Sequence, residues 1–322
     1  RREFIARTAG AAALASLPLP AFSKDLLPVK TATLFGGWAH LGNDALLERG
    51  FDKKHGFDIT NVQTYNSLAT LYADFIKGVY EVGVGSWDFF AKVYMRGAPL
   101  RIIGMISEGT QAGYLGRADG PSSIKDLKGK TLAAMLASGT FQQAKAYAKE
   151  FDGIDFGTDV TVQNAPNPPA TVALLAGNRA DASLIWEHSL SLGLDLVKGS
   201  RVFTNLGEYY TSNTKRPMPY FCIAMHKNAI DRLPKGSVQK LVAMYDDEFK
   251  WIHSDVNAYA AMATRIKVKP EVIKTAIGSG RLRFQMRSAA DAKNREDLLY
   301  AANLLTKAGV LPKKLDEGIF AA

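Results

Sequence analysis

Two short runs of the chain set a large aromatic beside an acid. EVGVGSWDFF (Glu81–Phe90) ends a small, β-branched run in Ser86, Trp87 and Asp88, and ADASLIWEHS (Ala180–Ser189) ends an apolar run in Trp186 and Glu187. A third tryptophan, Trp38, follows Gly36 and Gly37. Indole faces with carboxylates nearby favour a ring or a cation. A different chemistry is offered by ASGT (Ala137–Thr140), where Ser138, Gly139 and Thr140 open a helical pattern. Hydroxyls and free amides at a helix start hold an oxyanion such as a sulfonate or carboxylate, with about 0.3–2 kcal/mol from the dipole alone. A zwitterion such as an aminosulfonate reconciles the two signals.

Each candidate has a plainer reading. The glycines suit a tight turn, and Ser138 and Thr140 are natural helix caps. Core packing explains one tryptophan at a strand end. Three of the four, Trp38, Trp87 and Trp186, point to an aromatic-lined cleft, whereas Trp251 lies in a helical pattern and reads as core. Asn66 and Ser67 follow another strand and join the candidates. Tyr220 sits beside Pro219 at a chain crossing and suits either wall or core. Arg281, Arg283 and Arg287 read as solvated surface.

Catalytic signals are sparse. Five histidines show no metal-ligand spacing, and neither HExxH nor CxxC occurs, so no metal or cofactor is expected. The single cysteine, Cys222, sits in apolar YFCIAM and suits a buried thiol. His188 next to Glu187 is the remaining acid–base pair. The formal charge of +9 is scattered, with no run of five basic residues, which argues against a nucleic-acid partner.

The elements that must position these residues come as a repeat. TATLFGGWAHLGNDALLERGF (Thr31–Phe51) and TLAAMLASGTFQQAKAYAKEF (Thr131–Phe151) both read strand, glycine turn, helix. Each continues into a strand from an aspartate (Asp58, Asp159), an amphipathic helix, and a strand that runs into its tryptophan. Gly78 and Gly177 each lie nine residues before that tryptophan. Strands alternating with helices mean mostly parallel sheets covered by helices, with ligands outside the carboxyl ends of the strands.

The chain of 322 residues is long enough for two lobes. Residues 24–108 and 222–322 are expected to form lobe 1, and residues 109–221 an inserted lobe 2, with a hinge near 108–112 and 218–222. The segment RLRFQM is expected to be a short strand among the C-terminal helices. Residues 1–23 read as an export signal: Arg1-Arg2 and Phe4 suggest the twin-arginine type, followed by a short apolar stretch and a small-x-small site ending at Ser23. Its loss would remove three Arg and one Glu and lower the charge from +9 to +7.

Six segments carry a resemblance when taken in order: LERGFDKKHGFDITNV, FIKGVYEVGVGSW, GAPLRIIGMIS, DLKGKTLAAMLASGT, LLAGNRADASLIWEHS and LLTKAGVLPKKLDEGI. The chain resembles periplasmic substrate-binding proteins of ABC importers, in the nitrate/sulfonate/taurine and thiamine-precursor group. The resemblance implies an α/β, two-lobed flytrap with the ligand cleft between lobes. It also implies a periplasmic monomer that delivers a small anion or zwitterion, taurine-like or another sulfonate, to an ABC permease and its ATPase at the inner membrane. The alternative it leaves open is an aromatic nitrogen heterocycle such as a thiamine pyrimidine precursor, or a pyrimidine-forming enzyme. Such enzymes are expected to carry histidines and a cysteine-rich motif near the cleft, and the lone Cys222 favours a binder.

Overall fold

The computed structural model describes residues 26–35 and 37–321. The expected export signal, residues 1–23, and Gly36 lie outside the described residues. The first sheet begins with β1 (Leu27–Leu34), α1 (Trp38–Glu48), α2 (Phe51–Lys54), β2 (Phe57–Tyr65) and α3 (Leu68–Ile76). It continues through β3 (Val82–Ser86), α4 (Trp87–Met95) and β4 (Leu100–Met105). The chain then crosses to a second sheet: β5 (Ala112–Gly116), β6 (Thr131–Ala134), α5 (Gly139–Asp152), β7 (Thr161–Asn164), α6 (Pro168–Ala176), β8 (Ala182–Trp186), α7 (Ser189–Leu196), β9 (Arg201–Asn205) and α8 (Leu206–Thr214). It returns as β10 (Phe221–His226), α9 (Lys227–Arg232), α10 (Ser237–Ser254), α11 (Val256–Ala261), α12 (Pro270–Gly278), β11 (Arg287–Ser288) and α13 (Ala292–Lys307).

The sheet orders are β11-β4-β10-β3-β1-β2 and β7-β6-β8-β5-β9. The repeat seen in the sequence is therefore a spatial one. β2-β1-β3 and β7-β6-β8 have the same order and the same parallel pairing. Each trio is followed by an antiparallel strand from another part of the chain, β10 beside β3 and β5 beside β8. Both sheets are consequently mixed. Side chains alternate across a strand, and β10 shows why its sequence is apolar from Phe221 to Met225. Cys222 and Ala224 pack into one core cluster, Ile223 and Met225 into another.

Local chemistry sets the helix starts. Ser67, Ser138, Asn167 and Asn205 each accept a backbone N–H within the first turn of the helix that follows, and Pro168 occupies the first turn of α6. RLRFQM does not form a strand. Residues 281–286 run irregularly along the lobe surface, and pairing with β4 begins only at Arg287. Leu282 and Phe284 are buried there by packing rather than by a ladder.

Candidate functional site

A cavity of about 100 Å³ lies where the two lobes meet. Its floor is the carboxyl ends of β1 and β3, with Thr31, Thr33, Gly85 and Ser86. One wall comes from α1 through Trp38, Gly42 and Asn43, and the facing wall from α10 through Tyr245, Glu248, Phe249 and Ile252. Phe221 and Phe284 close the inner end, and the second lobe contributes Ser138, Gly139, Thr140 and Trp186. The aromatic walls support one another. Trp38 meets the edge of Phe221 and the ring of Phe284 at 5.3 Å each, and Phe249 stacks on Phe284 at 5.4 Å.

Of the residues singled out from sequence, the structure brings Gly37, Trp38, Ser86, Ser138, Gly139, Thr140 and Trp186 to this cavity. Asn66 and Ser67 stay exposed at the start of α3, where Ser67 serves as its cap. Trp87 lies in the core: it is fully buried, and its indole N–H donates to the Pro219 carbonyl at 2.9 Å. Tyr220 is also fully buried, 2.5 Å from the Thr140 hydroxyl. Trp251 is half-buried, with the Arg49 guanidinium 4.5 Å above its ring.

The start of α5 departs from the expected oxyanion seat. Gly139 packs so tightly on Ser86 and Asp88 that a Cβ there would overlap both side chains. Asp88 is buried and accepts from the Ser86 hydroxyl and, at 3.1 Å, from Gln143 Nε2 on α5. Lys92 Nζ lies 3.4 Å from its other oxygen. A carboxylate of the first lobe thus stands against the positive end of α5. The Ser138 hydroxyl is likewise engaged, donating to Met135 O at 2.7 Å and accepting from Phe141 N at 3.1 Å.

Glu187 also has protein partners. Its carboxylate accepts from Arg281 Nε at 2.6 Å, and from Ser191 N and Oγ at 3.0 Å each. Arg281 Nη2 reaches Ser191 Oγ at 3.0 Å. This ion pair joins the second lobe to the segment after α12. Arg281 and Arg287 are accordingly ion-paired, Arg287 with buried Asp297 at 2.8 Å, and only Arg283 is solvated. Burial, with Asp88 nearby, pushes the Cys222 thiol well above its usual range. Among the described residues no group of three or more His, Cys, Asp or Glu is arranged to hold a metal ion.

Glu248 was not anticipated. It is 2% exposed, it lines the cavity, and no hydrogen bond or ion pair reaches it among the described residues. Burial alone holds its carboxyl well above the usual carboxylate range. The amide nitrogen of Asn43, on the opposite wall, is buried and also has no partner. A signal did exist in the sequence. Leu241, Met244, Tyr245, Phe249 and Ile252 follow helical spacing, and Glu248 falls inside that apolar stripe.

Residues 40–211, more than half of the chain, match the family described as NMT1/THI5 like. The chain belongs to the NMT1/THI5-like family. Comparison with curated protein sequences gives no match. Among solved structures, the aliphatic sulphonate binding protein SsuA from Escherichia coli superposes with a TM-score of 0.75 at 17% identity, over 93% of this chain and 92% of that one. The alkanesulfonate-binding protein SsuA from Xanthomonas axonopodis pv. citri, bound to MOPS, gives 0.72 at 18% identity, over 91% and 97%. A Candida albicans gene product with the generic periplasmic binding protein fold gives 0.61 at 13%, over 91% and 93%. At these identities the likeness shows the fold. This NMT1/THI5-like chain has the two-lobed architecture of periplasmic binding proteins.

Proposed function

We propose that the protein is an extracytoplasmic solute-binding protein that captures a small organic solute between its lobes and passes it to an ABC permease. The observation that carries this reading is the cavity itself, walled by aromatic side chains of the first lobe and closed by Trp186 and the α5 start of the second. Ligand sites of this kind are concave and mostly apolar, with few polar groups. The solute-binding neighbours in the fold comparison support the role, and no helix among the described residues is long and apolar enough to cross a membrane. The solute is a nitrogen-bearing ring or amine. Asp88 already stands at the anion-favouring end of α5, and the polar groups of the cavity include an unpartnered carboxyl and an unpartnered amide.

A sulfonate is the second reading, favoured by the sulfonate-binding proteins among the solved structures. It requires Asp88 to leave the α5 start. Binding without turnover is preferred over catalysis, because Glu187 is committed to Arg281 and Ser191 and does not line the cavity. The test is small-angle scattering with a solute panel that includes aminopyrimidines and alkanesulfonates, followed by recovery of the solute. Compaction with an aminopyrimidine or amine, and its return unchanged, is expected. Compaction by alkanesulfonates alone, or recovery of a modified compound, would overturn the reading.

A further inference from the structure

Glu248 occupies a position that the fold keeps open for its carboxyl. Gly42 in α1 faces it, and a Cβ at residue 42 would lie 2.9 Å from Glu248 Oε1. A glycine inside a helix is unfavourable relative to alanine, so its presence here is explained by the room it leaves. A buried carboxyl without partners is costly, and such a group is normally paired or hydrogen-bonded. The groups around it supply no cation. Tyr245 on the same helix and Tyr259 from α11 are phenols held protonated by burial. The α1 face offers Trp38, Gly42 and Asn43, the β1 end offers Thr31 and Thr33, and the segment after α12 offers Phe284.

We infer that Glu248 is the counter-charge for a cationic group on the solute, a protonated amine or amidine, held against the wall of Trp38, Phe249 and Phe284 while the Asn43 amide donates to an acceptor on the same molecule. The inference rests on reading the cavity as the solute site. Binding is coupled to a proton. In the empty cavity burial favours the protonated carboxyl. A bound ammonium requires the carboxylate, so the O–H bond of Glu248 breaks, the proton leaves to solvent, and the ammonium N–H donates to the vacated oxygen. Affinity therefore climbs as pH rises through the Glu248 titration and levels above it.

The test is calorimetric titration of the full chain with benzylamine, benzyl alcohol and benzenesulfonate, in two buffers of different ionisation heat. Benzylamine is expected to bind about 10-fold or more tighter than benzyl alcohol, with about one proton released per ligand, and benzenesulfonate to give no heat. Glu248→Gln should remove that preference and the proton release while benzyl alcohol binds as before. Gly42→Ala, which crowds the carboxyl, should weaken benzylamine in the same direction. Equal binding of amine and alcohol by the parent, or benzylamine binding unchanged in Glu248→Gln, overturns the assignment of Glu248 and leaves the cavity as the solute site. Binding of none of the three overturns both. Should Glu248→Gln lose benzyl alcohol as well, proton release by the parent decides: a proton released supports the assignment, none overturns it.

Discussion

Trp87 and Trp186 look equivalent along the chain and are not equivalent in space. Thr31 pairs with Asn61 and Val82, and Leu132 pairs with Val162 and Ala182. Overlaying the two repeats on those registers sets Ser86 on Trp186 and Trp87 on Glu187. A shift of one residue along a strand sends a side chain to the opposite face. Ser86 and Trp186 accordingly line the cavity, while Trp87 turns into the core under Pro219 and Glu187 turns onto Arg281. Equal distances from a glycine mark the end of a strand; the face is decided by the register.

The largest effect that this difference implies is on stability. Trp87→Ala empties a fully buried site and is expected to cost about 3–5 kcal/mol in denaturant unfolding. A loss under 1 kcal/mol there would show that the indole is not a core element. Next comes the counterpart position. Arg281→Ala leaves buried Glu187 with only Ser191, and should cost the closed arrangement about 1.5–3 kcal/mol, read as an expanded scattering profile. A profile identical to the parent would mean that the ion pair does not hold the lobes together. Trp186→Ala should weaken solute binding by about 1–3 kcal/mol, roughly 5- to 150-fold, with little change in the melting temperature of the free protein. The reverse pattern, early melting with intact binding, would make Trp186 core and end the contrast with Trp87.

The smallest effect concerns pH. Glu248 has its folded-state pKa raised by burial, so above about 4.3 the folded chain holds a proton that the unfolded chain has lost. Its contribution to stability therefore falls as pH rises toward the folded titration. Glu248→Gln removes that slope, and the free variant should be more stable than the parent by about 1 kcal/mol at the alkaline end. Thermal unfolding across pH checks it, and parallel curves for the two proteins would contradict it.

Much of the frame was legible in the sequence because it rests on local patterns. Strand and helix alternation foretold the repeat, and Ser138 was readable as a cap. What escaped depends on contacts distant in sequence. RLRFQM has strand composition, yet residues 281–286 form no ladder, with Gln285 N–H bonded to Ile106 O, and Phe284 is spent on the cavity wall. Asp88 looked available to a ligand until α5 brought Gln143 against it. Arg281 read as surface because Glu187 is 94 residues away. The sequence pointed to Asp88 and Glu187 as the carboxylates beside aromatics. Asp88 and Glu187 have protein partners, and the unpartnered acid is Glu248, visible only as a break in the apolar stripe of α10.

The seating of a basic nitrogen solute on Glu248, in the cavity between the lobes, is open to a direct test. Native mass spectrometry of freshly purified protein tests it most directly, with the parent and Glu248→Gln purified side by side from the same culture conditions. The expected result is a stoichiometric small-molecule adduct on the parent whose released compound carries a basic nitrogen, and its loss from Glu248→Gln. A released sulfonate, or an adduct that Glu248→Gln retains in full, would contradict the account.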